Sequence, residues 1–142
     1  MSLGWPHIST IFTAMQVKID TKERFHVISI LDAQLTANMT DEMEGSFLSY
    51  LQNDVKNIVL NLSAVEGMDL DAAEVLVKIQ QRFYEQNASF VICCIQPALE
   101  TWLDEQELLE VMSATPSESE AWDIVQMEEI ERELLDDDEP AF

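Results

Sequence analysis

Positive charge is scarce in this sequence. Seven lysines and arginines face 28 aspartates and glutamates, for a formal net charge of -21. Nucleic-acid binding draws on clustered cations that displace condensed counterions, and no such cluster occurs, so nucleic acid is excluded as a partner. The same deficit disfavours an anionic membrane surface. A basic protein partner, by contrast, would be steered in at low salt. Glycine and proline are scarce, at three and four, so most of the chain belongs in regular elements. The glycines Gly4, Gly45 and Gly67 are scattered, which leaves no phosphate-cradling loop. There is no Gly-x-Ser-x-Gly elbow and no Cys/His spacing suited to a metal.

The two cysteines, Cys93 and Cys94, are adjacent within an apolar run. Neighbours on a strand point to opposite faces, so the two are poorly placed to bond to each other, and each reads as a small hydrophobe. No apolar stretch reaches the ~18 residues of a membrane span, and the N-terminus lacks the basic and apolar regions of a signal peptide. These absences point to a reducing, cytoplasmic setting. His7 lies in a patternless opening, and His26 alternates with Phe25 and Val27 as a structural or surface residue. The expectation is therefore a protein that is not an enzyme and that uses no cofactor and no metal.

What is present is hydrophobic content. At 47% of 142 residues it suits one domain with a continuous core. Residues 1–14 read as a leader or upstream extension, 15–135 as the domain and 136–142 as an acidic tail. Met15, Val17 and Ile19 alternate with polar residues as a half-buried strand, and Phe25–Leu31 completes a hairpin with it. A loop over 32–40 leads to a helix capped by Thr40, with Met43, Phe47, Tyr50 and Leu51 at helical spacing. The unbroken apolar run Ile58-Val59-Leu60 predicts a strand buried on both faces. A helix to Gln86 follows, with Ala72, Val75, Leu76, Ile79 and Phe83 along one side. Then come a strand over 89–95 and a short helix opened by Pro97. Leu109–Met112 reads as a short fifth strand, and a last helix runs from Thr115 to Leu135. The order β-β-α-β-α-β-α-β-α implies an α/β fold in which helices pack on a mixed sheet.

Among many carboxylates, Asp69 and Asp71 stand out, two apart at a strand-to-helix junction. Their structural reading is that Asp69 caps the helix while Asp71 sits in its first turn, where the helix dipole favours negative charge. As acid, base or cation ligands they would instead serve a small-ligand or cation-binding domain.

The segment from Asn57 to Ser63, followed by Val65-Glu-Gly-Met-Asp-Leu-Asp-Ala72, resembles the centre of STAS domains, the sulfate-transporter and anti-sigma-factor-antagonist family. There a buried strand leads into an Asp-Ser-Ser-Gly-type turn that opens a helix. The stretch from Ser89 through Pro97 to Leu109 and the ending at Ser117–Val125 are similar to the family's later elements. The continuation to Leu134 resembles an extended tail of bacterial STAS proteins of the Bacteroidetes type.

In anti-sigma factor antagonists of this family, the second serine of the turn is phosphorylated by a partner kinase that is also the anti-sigma factor. The resemblance lays Asp69 on the family's Asp, Leu70 on the first serine, Asp71 on the phosphorylated serine and Ala72 on the glycine. Asp71 thus stands where phosphate would go, and its fixed charge partly imitates the phosphorylated state. The family's Leu-Asp pair after the second strand is here Leu35-Thr36, with Asn38 nearby. The resemblance implies a regulatory protein-binding module that acts on transcription through signal transduction. Its partner would be an anti-sigma factor or serine-kinase-like regulatory protein, met through the loop at 32–39 and the helix start at 69–76. The alternative it leaves is a self-associating STAS scaffold, a homodimer or larger, built with Trp122, Ile130, Leu134 and Leu135.

Overall fold

The apolar runs at 58–60 and 90–93 become the centre of a five-stranded sheet. The computed structural model describes residues 15–138, so the expected leader at 1–14 and the end of the tail at 139–142 lie outside the described residues. Strand β1 (Val17–Thr21) pairs antiparallel with β2 (Phe25–Ile30). Strand β2 then runs parallel to β4 (Asn57–Asn61), β4 to β6 (Phe90–Cys93), and β6 to β7 (Ala114–Thr115). The sheet order is β1-β2-β4-β6-β7. A second, two-stranded parallel sheet joins β3 (Gln34–Leu35) to β5 (Gly67–Met68). The helices are α1 (Thr40–Leu48), α2 (Leu70–Glu85), α3 (Pro97–Glu105) and α4 (Glu118–Asp138).

The period of two along each strand sorts side chains onto two faces. Ile28, Ile58, Leu60, Phe90 and Ile92 point into the larger core, where α1 and α2 supply Met43, Phe47, Leu76, Ile79 and Phe83. Phe25, Val27, Val59, Val91 and Cys93 point the other way, onto Ala121 and Val125 of α4. The central strands are therefore buried on both faces, as their unbroken apolar runs predict.

Three local expectations are corrected. Leu109–Met112 is not a strand: Leu109–Val111 forms a 3₁₀ turn, and the last strand is Ala114–Thr115. Leu109 and Met112 stand three apart, and a turn with three residues per repeat brings both inward. An apolar run this short does not separate strand from turn by periodicity. Thr40 does not cap α1 with its side chain. Met39 holds the N-cap position, and the Thr40 hydroxyl donates instead to the carbonyl of Ala37 at 2.9 Å. The last helix also continues through Asp136–Asp138, into the stretch read as a tail.

Polar side chains anchor the ends of the central strands. Buried Asn57 donates to the Arg24 carbonyl at 3.0 Å and to Glu129 at 2.7 Å, and accepts from the Ser89 amide at 2.8 Å. Buried Gln80 of α2 donates to the Phe90 carbonyl at 2.8 Å and accepts from the Ser113 amide at 3.0 Å. That bond fixes the approach to β7 against β6, so a two-residue strand can hold its place at the sheet edge.

Candidate functional site

Two connections that are distant in sequence lie side by side. The loop after β2 and the turn before α2 are joined by the β3–β5 pairing, in which Gln34 faces Gly67 and Leu35 faces Met68. The Glu66 amide donates to the Ala33 carbonyl at 2.7 Å, and the Asp69 amide to the Leu35 carbonyl at 2.9 Å. Leu35 is fully buried and anchors the loop in the core beneath the junction.

Asp69 sits at the N-cap of α2 with extended backbone, but its carboxylate makes no capping bond to that helix. It accepts from the Ala37 amide at 2.9 Å instead. The expectation that Asp69 caps α2 through its side chain is thus corrected. The result is a clasp between the 32–39 loop and the helix start.

The expected site residues fall around this clasp. Leu70 is 43% exposed, large for an apolar side chain at a helix start. Asp71 is exposed in the first turn of α2, where the aligned peptide dipoles favour its charge. It lines an open groove with Thr40, Glu74, Val75 and Lys78. Lys78 also approaches Glu44 of α1 at 3.9 Å. Ala72 is buried against the core. Thr36 is half-buried and Asn38 exposed on the loop. Thr36 and Asn38 are thus brought to the same rim as Asp69, Leu70 and Asp71, while the Leu35 side chain, expected at the site, lies in the core beneath it. The clasp residue Ala37 was not singled out by sequence, because an amide donor has no side-chain signature.

The two carboxylates serve different neighbours, Asp69 the loop and Asp71 the groove. Among the described residues no three His, Cys, Asp or Glu side chains gather as a metal site requires. His26 is buried, with Nδ1 3.0 Å from the Thr21 hydroxyl and Nε2 3.0 Å from the Val55 carbonyl. A carbonyl only accepts, so Nε2 donates to Val55. One ring nitrogen thus meets β1 and the other the segment that leads into β4. Cys93 and Cys94 are free thiols. Burial first, and then the adjacent Cys94, push the Cys93 thiol well above its ordinary value, which keeps it protonated and unreactive. No described helix is long and apolar enough to cross a membrane.

Among solved structures, the fold is similar to a STAS anti-sigma-factor antagonist domain protein from Planctomyces limnophilus. That match has 22% identity and a TM-score of 0.62, over 74% of this chain and 93% of that one. It is also similar to an anti-sigma factor antagonist from Mycobacterium paratuberculosis, at 15% identity, TM-score 0.67, and 80% and 96% coverage. A serine-to-glutamate variant of RsbS from Moorella thermoacetica aligns at 22% identity, TM-score 0.64, and 78% and 95% coverage. At these identities the likeness is one of fold. No curated protein matches the chain. The STAS domain family model matches residues 16–121, from the first strand into α4 and across the whole clasp, and the chain belongs to the STAS domain family.

Proposed function

We propose that this protein is a non-enzymatic regulatory module of the anti-sigma factor antagonist kind, acting in the cytoplasm. It binds an anti-sigma factor or serine-kinase-like partner through the rim formed by Thr36 and Asn38 with Asp69, Leu70 and Asp71, which the buried Leu35 supports from below. The observation that carries this reading is the Asp69–Ala37 clasp, which holds the loop against the helix start while Leu70 and Asp71 face outward. An exposed apolar side chain beside an exposed charge, both on a rigid helix terminus, suits recognition by another protein. The solved antagonists that share the fold support the partner class.

Asp71 occupies the phosphoacceptor position, so serine phosphorylation does not switch this protein. The carboxylate places a permanent negative charge at the helix start, with less charge and fewer acceptor oxygens than phosphate. The module is held in one binding state.

The test is an affinity pulldown from source-cell lysate that compares the natural chain with Asp71→Ser. The expected result is a serine-kinase-like protein gained or strengthened by Asp71→Ser, with phosphate appearing at position 71. An unchanged partner set without phosphate on the bait overturns the assignment of Asp71 to the switch position.

A further inference from the structure

Beyond Val125, helix α4 is built inside out. Its first turns follow the usual rule, with Ala121 and Val125 buried against Phe25, Val27, Val59 and Val91. The next inward positions are Glu128 and Arg132. Glu128 accepts from the Tyr84 hydroxyl at 3.0 Å and the Ser89 hydroxyl at 2.6 Å. Arg132 donates to the Ser89 hydroxyl at 3.1 Å. Polar groups therefore fill the face turned to the sheet.

The opposite face carries the apolar residues. At 3.6 residues per turn, Met127, Ile130 and Leu134 share one line, on the far side from Val125, Glu128 and Arg132. They are 54%, 57% and 58% exposed. Single exposed apolar residues are ordinary on a protein surface. Three at i, i+3 and i+7 form a stripe of the kind by which one helix lies against another. The stripe lies beyond the residues matched by the family, which end at 121. It is also on the opposite side of the sheet from α1, α2 and the clasp.

Charge selects the occupant. Asp123, Glu131 and Glu133 are exposed around the stripe, and the one cation of α4, Arg132, is turned inward. A second copy would bring the same acidic rim and its own net charge of -21 into contact, and an anionic membrane would be repelled in the same way. A segment with apolar residues on one side and Lys or Arg along its edges meets both features at once. We propose that this face of α4 docks a cationic amphipathic helix of a partner protein. Its apolar side chains cover Met127, Ile130 and Leu134, and its cations pair with Asp123, Glu131 and Glu133.

The probe is a synthetic leucine–lysine peptide with Leu at i, i+3 and i+7, titrated calorimetrically against the full chain at physiological salt. A scrambled peptide of identical composition serves as the control. Binding is expected to shift backbone amide resonances of α4 while leaving those of the clasp in place. Ile130→Ser with Leu134→Ser, at exposed positions that leave the melting temperature unchanged, should weaken binding by on the order of tenfold or more. Glu131→Lys with Glu133→Lys, which leaves the stripe intact, should weaken it as well. Equal affinity for the scrambled peptide, or full affinity in the serine variant, means adhesion by net charge alone and overturns the proposal. A sedimenting dimer that the serine variant dissolves also overturns it, since the face would then belong to a second copy.

Discussion

Asp69 and Asp71 stand two residues apart and do unrelated work. The Asp69 carboxylate takes the Ala37 amide, and Asp71 stays in solvent at the head of the helix. A hydrogen bond to a charged acceptor at an exposed site contributes about 1 kcal/mol. Asp69→Ala is therefore expected to lower stability by about that amount and to release the loop, while Asp69→Asn keeps most of both. Hydrogen exchange at the Ala37 amide checks this: faster exchange in the alanine variant than in the asparagine variant is the expected result. The junction itself is legible in sequence, since two aspartates bracket the point where an apolar strand gives way to a helical period. The donor that Asp69 serves is not, because Ala37 lies 32 residues away and only the β3–β5 pairing brings it near.

Helices α2 and α4 differ in how their sequences relate to their surroundings. Helix α2 reads correctly because every apolar position it offers, from Ala72 to Phe83, meets the same core. Along helix α4 the buried apolar positions end at Val125, because polar partners on the strand ends, Ser89 and Asn57, occupy the ground beneath its second half. Tyr84 of α2 reports on that buried polar contact. Its phenol is pushed up to about 12, chiefly by burial, with the Ser113 hydrogen bond working the other way and the charge of Glu128 adding to the rise. The unfolded phenol gives up its proton near 10. Stability contributed by the neutral phenol is thus fully present below pH 10 and is lost as pH rises toward 12. Thermal melts across that window are expected to show a steeper fall for the natural chain than for Tyr84→Phe. Parallel curves would assign the alkaline loss to other groups.

For the molecule as a whole, a net charge of -21 means that compaction works against self-repulsion. Few cations are at hand to offset it. The four ion pairs among the described residues include Lys22 with Asp20 at 3.0 Å, and the others span 3.8 to 3.9 Å at largely exposed sites. Such pairs contribute little. Added salt screens repulsion over a Debye length of about 10 Å at 0.1 M. The melting temperature is therefore expected to rise by a few degrees, roughly, between low and moderate sodium chloride. Differential scanning calorimetry measures this directly, and a fall with salt would mean that attractive pairs dominate. The sequence by itself determined the layered α/β class, a strand around Ile58-Val59-Leu60, a strand within 89–95 that the structure trims to 90–93, a helix ending near Gln86 and the place of the strand-to-helix junction. Each rests on a local period or a local residue type, so neighbouring residues carry the signal. Only the tertiary structure decided the β3–β5 pairing, the partner of Asp69 and the inward polar contacts of Glu128 and Arg132 on α4. Each of these depends on which distant group lies across the interface, and no local pattern contains that.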